Sequence, residues 1–266
     1  MTDNMKYGYD SNLKDKFLRG KLIINSPVSL FILLVAYLLF VKKIGPEWMK
    51  NKPAFNLREV IIVYNVIQVL YSGYIVYLGI SVLRKHGLFD RGCTAFSEPF
   101  IENTLFAGYC YLLAKITELL DTVFFVLRKK QNQVTFLHVY HHATMVTISW
   151  LGLLYDISFG IAFAGTLNSL VHVVMYSYYC LSAIPALKRY LWWKKFLTSL
   201  QLIQFAVICI QMILFKMITK CCHSYFLVYS IIANVFIVSY FFINFYINSY
   251  IKQKNNNLVT KNRHKQ

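Results

Sequence analysis

The chain has 266 residues, 57% of them hydrophobic and only 15% charged, and 28 Lys and Arg against 11 Asp and Glu give a net charge of +17. A soluble domain carries about 45–50% apolar and about 25% charged residues, so a soluble globular domain and a disordered chain are both excluded. The charge excess would suggest nucleic acid in a soluble protein; here it can flank membrane spans or meet an anionic substrate, and no nucleic-acid partner is expected.

A hydrocarbon core of about 30 Å takes about 20 apolar residues per helix. Seven stretches meet or approach this: 22–41, 57–83, 103–127, 135–154, 157–181, 196–215 and 225–251. The alternation of a transmembrane strand is absent. The expected fold is therefore an all-α integral membrane protein with seven transmembrane helices. A polar segment over 1–21 precedes it, the helical domain covers 22–251, and a basic, disordered tail covers 252–266. The apolar run after residue 21 lacks a small-residue cleavage site and reads as a first span rather than a cleaved signal.

Seven spans place the two termini on opposite faces. Summed over alternate loops, one face carries 10 Lys and Arg and the other 17, with Lys115 on neither. The positive-inside rule puts the richer face in the cytosol, so the N-terminus is expected in the lumen and the C-terminus in the cytosol. Cys93, Cys221 and Cys222 fall on the lumenal, oxidising side. A disulfide from Cys93 to Cys221 or Cys222 is expected there, with free thiols as the alternative.

Polar groups inside spans cost about 2.5–3.5 kcal/mol each when charged, so they face the protein interior and mark function. The third span holds Lys115, Glu118, Asp121 and Thr122 within one arc of about 120°. The fourth opens on His138, His141 and His142, at i, i+3 and i+4. The fifth carries Asn168, His172, Met175, Tyr176 and Tyr179 along one stripe, and the sixth carries Thr198, Gln201 and Gln204. Asp121, His141, His172 and Gln204 all lie at a depth of about 8–12 Å from the cytosolic ends of their spans, at ~1.5 Å per residue. Lone amides in membrane helices commonly serve as interhelical glue, and Lys115 with Glu118 can neutralise itself as an i, i+3 pair. Three histidines on one helix with a fourth at matching depth favour chemistry.

Two chemistries suit them. Imidazole binds metals, yet only four of the seven histidines lie near this level, too few for a di-iron centre, which leaves a mononuclear zinc site. Alternatively, neutral imidazole attacks a thioester and forms an acyl-imidazole, with a second histidine moving the proton and Lys115 or Asn168 stabilising an oxyanion.

Four segments carry a family resemblance. They are 115–122 (Lys-Ile-Thr-Glu-Leu-Leu-Asp-Thr), 138–142 (His-Val-Tyr-His-His), Asn168 to Tyr179 with His172, Met175 and Tyr176, and Thr198 with Gln201 and Gln204. In order and spacing they resemble the signature boxes of the ELO family of very-long-chain fatty acid elongases, over roughly residues 30–250. Leu191 to Lys195 (Leu-Trp-Trp-Lys-Lys) and Tyr140 resemble the branch handling long, often polyunsaturated chains.

The resemblance implies a multi-pass enzyme of the endoplasmic reticulum, with six of seven helices ringing an acyl tunnel closed toward the lumen. It implies condensation of acyl-CoA with malonyl-CoA to a 3-ketoacyl-CoA two carbons longer, with no metal and no cofactor. His141 would take the acyl group and His172 would face it. His138, His142, Asp121 and Asn168 would orient these groups. Lys115 and Glu118 would set the local charge beside the substrate, together with Tyr176, Tyr179, Thr198, Gln201 and Gln204. Arg128, Lys129, Lys130, Lys194 and Lys195 would meet the CoA phosphates, although positive-inside anchoring alone accounts for basic residues there. The implied partners are membrane lipid and the ketoacyl reductase, dehydratase and enoyl reductase of the same cycle. A homodimer is left open.

Overall fold

The computed structural model describes residues 11–21, 26–86, 98–155, 159–218 and 225–252. Every regular element among the described residues is helical. In a hydrocarbon environment a helix is the element that satisfies its own backbone, which is why runs of Leu, Ile, Val and Phe fold this way here. A short α1 (Ser11–Leu18) packs on a later helix. The long helices are α2 (Pro27–Met49), α3 (Arg58–His86), α4 (Glu98–Thr117), α6 (Phe136–Tyr155), α7 (Phe159–Ala183), α8 (Lys194–Ile218) and α9 (Tyr225–Tyr246). The shorter α5 (Leu119–Leu127) continues α4, and a π turn (Ile247–Lys252) continues α9.

Several boundaries have local causes. Pro27 opens α2, where its missing N–H costs nothing. Within α2 the Gly45 N–H bonds back to Phe40 O, making a π turn over Phe40–Ile44 just before Pro46 breaks the ladder. Gly45 is also where α2 meets α5: a Cβ there would lie 2.8 Å from Val126 Cγ1. Pro185 holds Ile184 extended (φ −96°, ψ 110°) and so ends α7.

Six helices close on themselves. α3 packs on α7, α7 on α8, α8 on α9, α9 on α6, α6 on α4, and α4 back on α3. The α3–α7 contact is the most extensive, and Gly79 permits it, because a Cβ there would collide with Thr166 Oγ1. α2 stays outside the ring and contacts α5 and α6. Several bonds tie one end of the ring. Phe55 N–H donates to Leu127 O (3.1 Å), Lys129 Nζ to Lys50 O (3.2 Å) and Arg58 Nε to Ala183 O (3.1 Å).

Among the described residues, four stretches are long and apolar enough to cross a membrane: Pro27–Met49, Arg58–Arg84, Lys194–Phe215 and Phe226–Lys252. The remaining expected spans match α4 with α5, α6 and α7. These carry Lys115, Glu118, the three clustered histidines, Asn168 and His172, which lower their apolarity. The third expected span, 103–127, is not one helix but two. Its ladder breaks at Glu118 (φ −63°, ψ −19°), where Asp121 N–H bonds Glu118 O in a tighter i to i+3 turn. Thr117 Oγ1 turns back to Ala114 O at 2.8 Å, a contact that bends helices. The first span is shifted relative to 22–41, since residues past Val41 remain helical through Met49. Cys93, Cys221, Cys222, residues 1–10 and the tail beyond Lys252 lie outside the described residues. Cys110, Cys180 and Cys209 are free thiols.

Candidate active site inside the six-helix ring

The kink at Glu118 gathers a buried charged cluster. Lys115 Nζ donates to Glu118 Oε1 at 2.8 Å and to Oε2 at 3.1 Å, with both side chains almost fully buried. The same Oε1 lies 3.0 Å from His172 Nδ1. An ionised carboxylate only accepts, so this contact calls for a proton on Nδ1, and Lys115 Nζ lies 3.4 Å from the same nitrogen. Tyr111, one turn before Lys115, places its ring 4.8 Å from Lys115 Nζ and its hydroxyl donates to Asn168 Oδ1 at 2.9 Å. That contact leaves the Asn168 Nδ2 donors free.

The next turn carries a second polar pair. Tyr176 OH donates to Asp121 Oδ2 at 2.8 Å. Tyr64 packs edge-on against Tyr176 at 6.1 Å and donates to Thr117 O at 3.2 Å. Tyr37 of α2 shares a 2.8 Å hydrogen bond with Thr122.

The three clustered histidines separate. At 100° per residue His138 and His142 share a face, and His141 is rotated about 100° from His142. The His138 and His142 rings pack at 4.4 Å, and His138 meets Phe125 of α5 at 5.2 Å. His141 points instead into a cavity of about 140 Å³. All six ring helices line it, through Ile75 and Gly79 of α3, Tyr111 of α4, His141 of α6, Asn168 of α7, Gln204 of α8 and Asn234 of α9, among others. From His141 the cavity follows α6 to Leu153, about 18 Å at the helical rise. Its walls are mostly hydrocarbon, with the polar groups at the His141 end and a few hydroxyls below. An imidazole thus opens onto an apolar slot.

The expected site residues therefore fall into groups. His141, Asn168 and Gln204 reach the cavity. Lys115, Glu118 and His172 form the buried cluster behind Tyr111, and Asp121 with Tyr176 forms the next. Gln201 Nε2 contacts Met175 Sδ at 3.6 Å, and Thr198 Oγ1 lies 3.5 Å from Tyr250 OH, so both join helices instead. Tyr179 is 39% exposed and packs edge-on against Tyr176. Arg128 is half-buried, whereas Lys129, Lys130, Lys194 and Lys195 are exposed at the end of the ring nearest His141. Among the described residues, no three His, Cys, Asp or Glu side chains converge as metal ligands. Sequence reasoning missed Tyr111 and Asn234. Tyr111 was within reach, being a polar residue four before Lys115 on the same face; Asn234 lies in a helix with no other buried polar group to flag it.

The chain also resembles known proteins over nearly its whole length. The chain is 39% identical over 259 residues to "Very long chain fatty acid elongase 4" of Homo sapiens, covering 93% of this chain and 79% of that protein. It is 39% identical over 243 residues to "Very long chain fatty acid elongase 2" of Mus musculus, covering 90% and 82%. It is 38% identical over 250 residues to "Very long chain fatty acid elongase 7" of Rattus norvegicus, covering 92% and 89%. The model of the ELO family, described as GNS1/SUR4, matches residues 22–258. With the family model matching residues 22–258 and these relatives aligned over at least nine-tenths of the chain, this protein belongs to the GNS1/SUR4 (ELO) family.

Proposed function

We propose that the protein is a fatty acid elongase that condenses a long-chain acyl-CoA with malonyl-CoA. The products are CO2, CoA and a 3-ketoacyl-CoA longer by two carbons. The observation that carries this reading is the separation of His141 from its two neighbours: it alone of the three faces the apolar cavity.

The alkyl chain enters that cavity, where each buried CH2 contributes about 0.8 kcal/mol. The thioester carbon then lies at His141. The imidazole attacks it, the C–S bond breaks, and the imidazole proton passes to the departing thiolate. An acyl-imidazole remains. Asn168, fixed by Tyr111, turns its Nδ2 donors toward the carbonyl oxygen as charge develops. His172, one turn from Asn168 on the same face of α7, offers Nε2 to move a proton. Malonyl-CoA then loses CO2, its enolate carbon bonds to the acyl carbon as the acyl C–N bond breaks, and the released imidazole takes a proton from water to restore His141. Lys115 and Glu118 neutralise one another, so the cluster holds His172 without adding net charge. His138 and His142 seat the start of α6 against α5. No cofactor or metal takes part in this scheme. Arg128, Lys129, Lys130, Lys194 and Lys195 attract the CoA phosphates at the mouth.

The same reading takes α4 with α5 as one span, giving seven, with the N-terminus in the lumen of the endoplasmic reticulum and the mouth in the cytosol. There the 3-ketoacyl product meets the reductases and dehydratase that complete the cycle.

The test is extension of an acyl-CoA panel by radiolabelled malonyl-CoA in microsomes. Wild type should incorporate label and His141→Ala should not. Mass spectrometry of enzyme incubated with acyl-CoA alone should locate the acyl group on His141. An adduct on cysteine would overturn the covalent step.

A further inference from the structure

Asn234 of α9 belongs to none of the four boxes, yet it lines the same cavity as His141 and Asn168. It is 9% exposed, and its Oδ1 is buried with no hydrogen-bond partner. That oxygen packs against protein, so it is the rest of the amide that meets the cavity. The same amide's Nδ2 makes no hydrogen bond among the described residues either. With Oδ1 packed against protein, the amide group that faces the open space is a donor.

Its level in the ring can be read from aromatic contacts. α6 and α9 run antiparallel, and Phe136 packs against Phe241 with centroids 5.4 Å apart. Asn234 is two turns before Phe241, and two turns beyond Phe136 is Ala143. Asn234 therefore sits within about one turn of His141. It approaches from the α9 side, whereas Asn168 approaches from α7, two helices away around the ring. Gln204 supplies a third carboxamide on the α8 wall, also with an unpartnered Oε1. A group held at His141 would thus have amides on separate walls.

We propose that Asn234 is a further catalytic residue, an amide donor to the carbonyl oxygen of the acyl group during its transfer to and from His141. The inference rests on the acyl-imidazole reading of His141. As the imidazole nitrogen bonds to the thioester carbon, the carbonyl electron pair moves onto oxygen. That oxyanion accepts from Asn234 Nδ2, and the pair returns to re-form C=O as the thiolate leaves with the imidazole proton. An amide aimed at a charge that exists only in the transition state lowers the barrier without tightening substrate binding.

The experiment compares purified wild type, Asn234→Leu and Asn234→Asp. The first measurement is the rate of acyl-adduct formation on His141 from long-chain acyl-CoA alone, and the second is steady-state extension with malonyl-CoA. Removing one such donor costs about 10²–10³ in rate, so both variants should lose about 100-fold in adduct formation and in kcat, with KM for acyl-CoA within about threefold. Thermal transitions in detergent, close to wild type for at least one variant, establish that the fold survives. Unchanged kcat with lowered thermal stability in both variants would mean a structural interhelical amide and would overturn the proposal. A change confined to KM would overturn it in favour of substrate binding. If wild type forms no adduct on His141, the reading of His141 itself fails; if wild type and both variants form it at equal rates, only the role of Asn234 fails.

Discussion

Glu118 Oε1 lies between Lys115 Nζ at 2.8 Å and His172 Nδ1 at 3.0 Å, so one buried carboxylate at the α4–α5 kink anchors both a cation on its own chain segment and a histidine on α7. Removing one partner of a buried pair strands the other, at a cost of about 3–5 kcal/mol, whereas removing both is far milder. Glu118→Gln and Lys115→Met should each lower thermal stability sharply, and the double variant should recover most of it. A double-mutant cycle by thermal unfolding in detergent checks this; strictly additive losses would show that the pair is not coupled.

Tyr111 makes a different prediction, because it acts through Asn168. Tyr111→Phe keeps the ring under Lys115 and removes only the hydroxyl that holds Asn168 Oδ1. Stability should fall by about 1 kcal/mol. The freed amide can turn its oxygen toward the cavity, so kcat should drop by about tenfold while KM for acyl-CoA stays level. Steady-state kinetics with malonyl-CoA in excess separates the two constants, and an effect on KM alone would contradict the positioning role.

The far end of the cavity should set product length. Ala162 of α7 and Met212 of α8 line it on the side away from His141, and Met212 is 1% exposed. Ala162→Phe fills the end and should shift products to shorter chains. Met212→Ala opens it and should admit longer ones, at a stability cost of about 2–5 kcal/mol. Gas chromatography of the extended acyl groups gives the distribution; identical profiles from both variants would place the length limit elsewhere.

Close approach of α3 and α7 at Gly79 gives a packing test. Gly79→Val must push against Thr166, and overpacking typically costs 1–3 kcal/mol or more. Yield of folded protein should fall, and Thr166→Ala should restore part of it by removing Oγ1 and Cγ2 from the contact. Size-exclusion recovery of the single and double variants measures this directly.

Much of the ring was legible in the chain. Hydropathy placed α3, α8 and α9 to within a few residues, each being a long apolar run, and it placed α6 and α7 as closely although their polar residues lower their apolarity. Depth counting set His141 and Gln204 at one level, and both reach the cavity. Asp121 and His172, expected at that level too, lie in the buried pairs beside it, and Asn168, expected deeper, lines the cavity. The kink was not legible, since helical spacing runs on through Thr117 and Glu118, and neither the Thr117 Oγ1 bond to Ala114 O nor the tighter turn from Glu118 O to Asp121 N–H can be read from spacing. The division of His138 and His142 from His141 depends on which helix lies on each side of α6, and spacing within one helix carries no such information. Asn234 stayed hidden for the same reason: its significance lies in antiparallel register with α6, set by two phenylalanines 105 residues apart in sequence, Phe136 and Phe241.

That the cavity wall is drawn from all six ring helices has an evolutionary corollary. If the cavity holds the acyl chain as proposed, no single contiguous segment encodes chain selectivity, and the trait is polygenic within one molecule. On the proposed function, a duplicated copy can drift toward a new chain length by small changes on any of six walls, with His141 untouched. Single-helix exchanges between relatives should therefore produce graded intermediates rather than a switch.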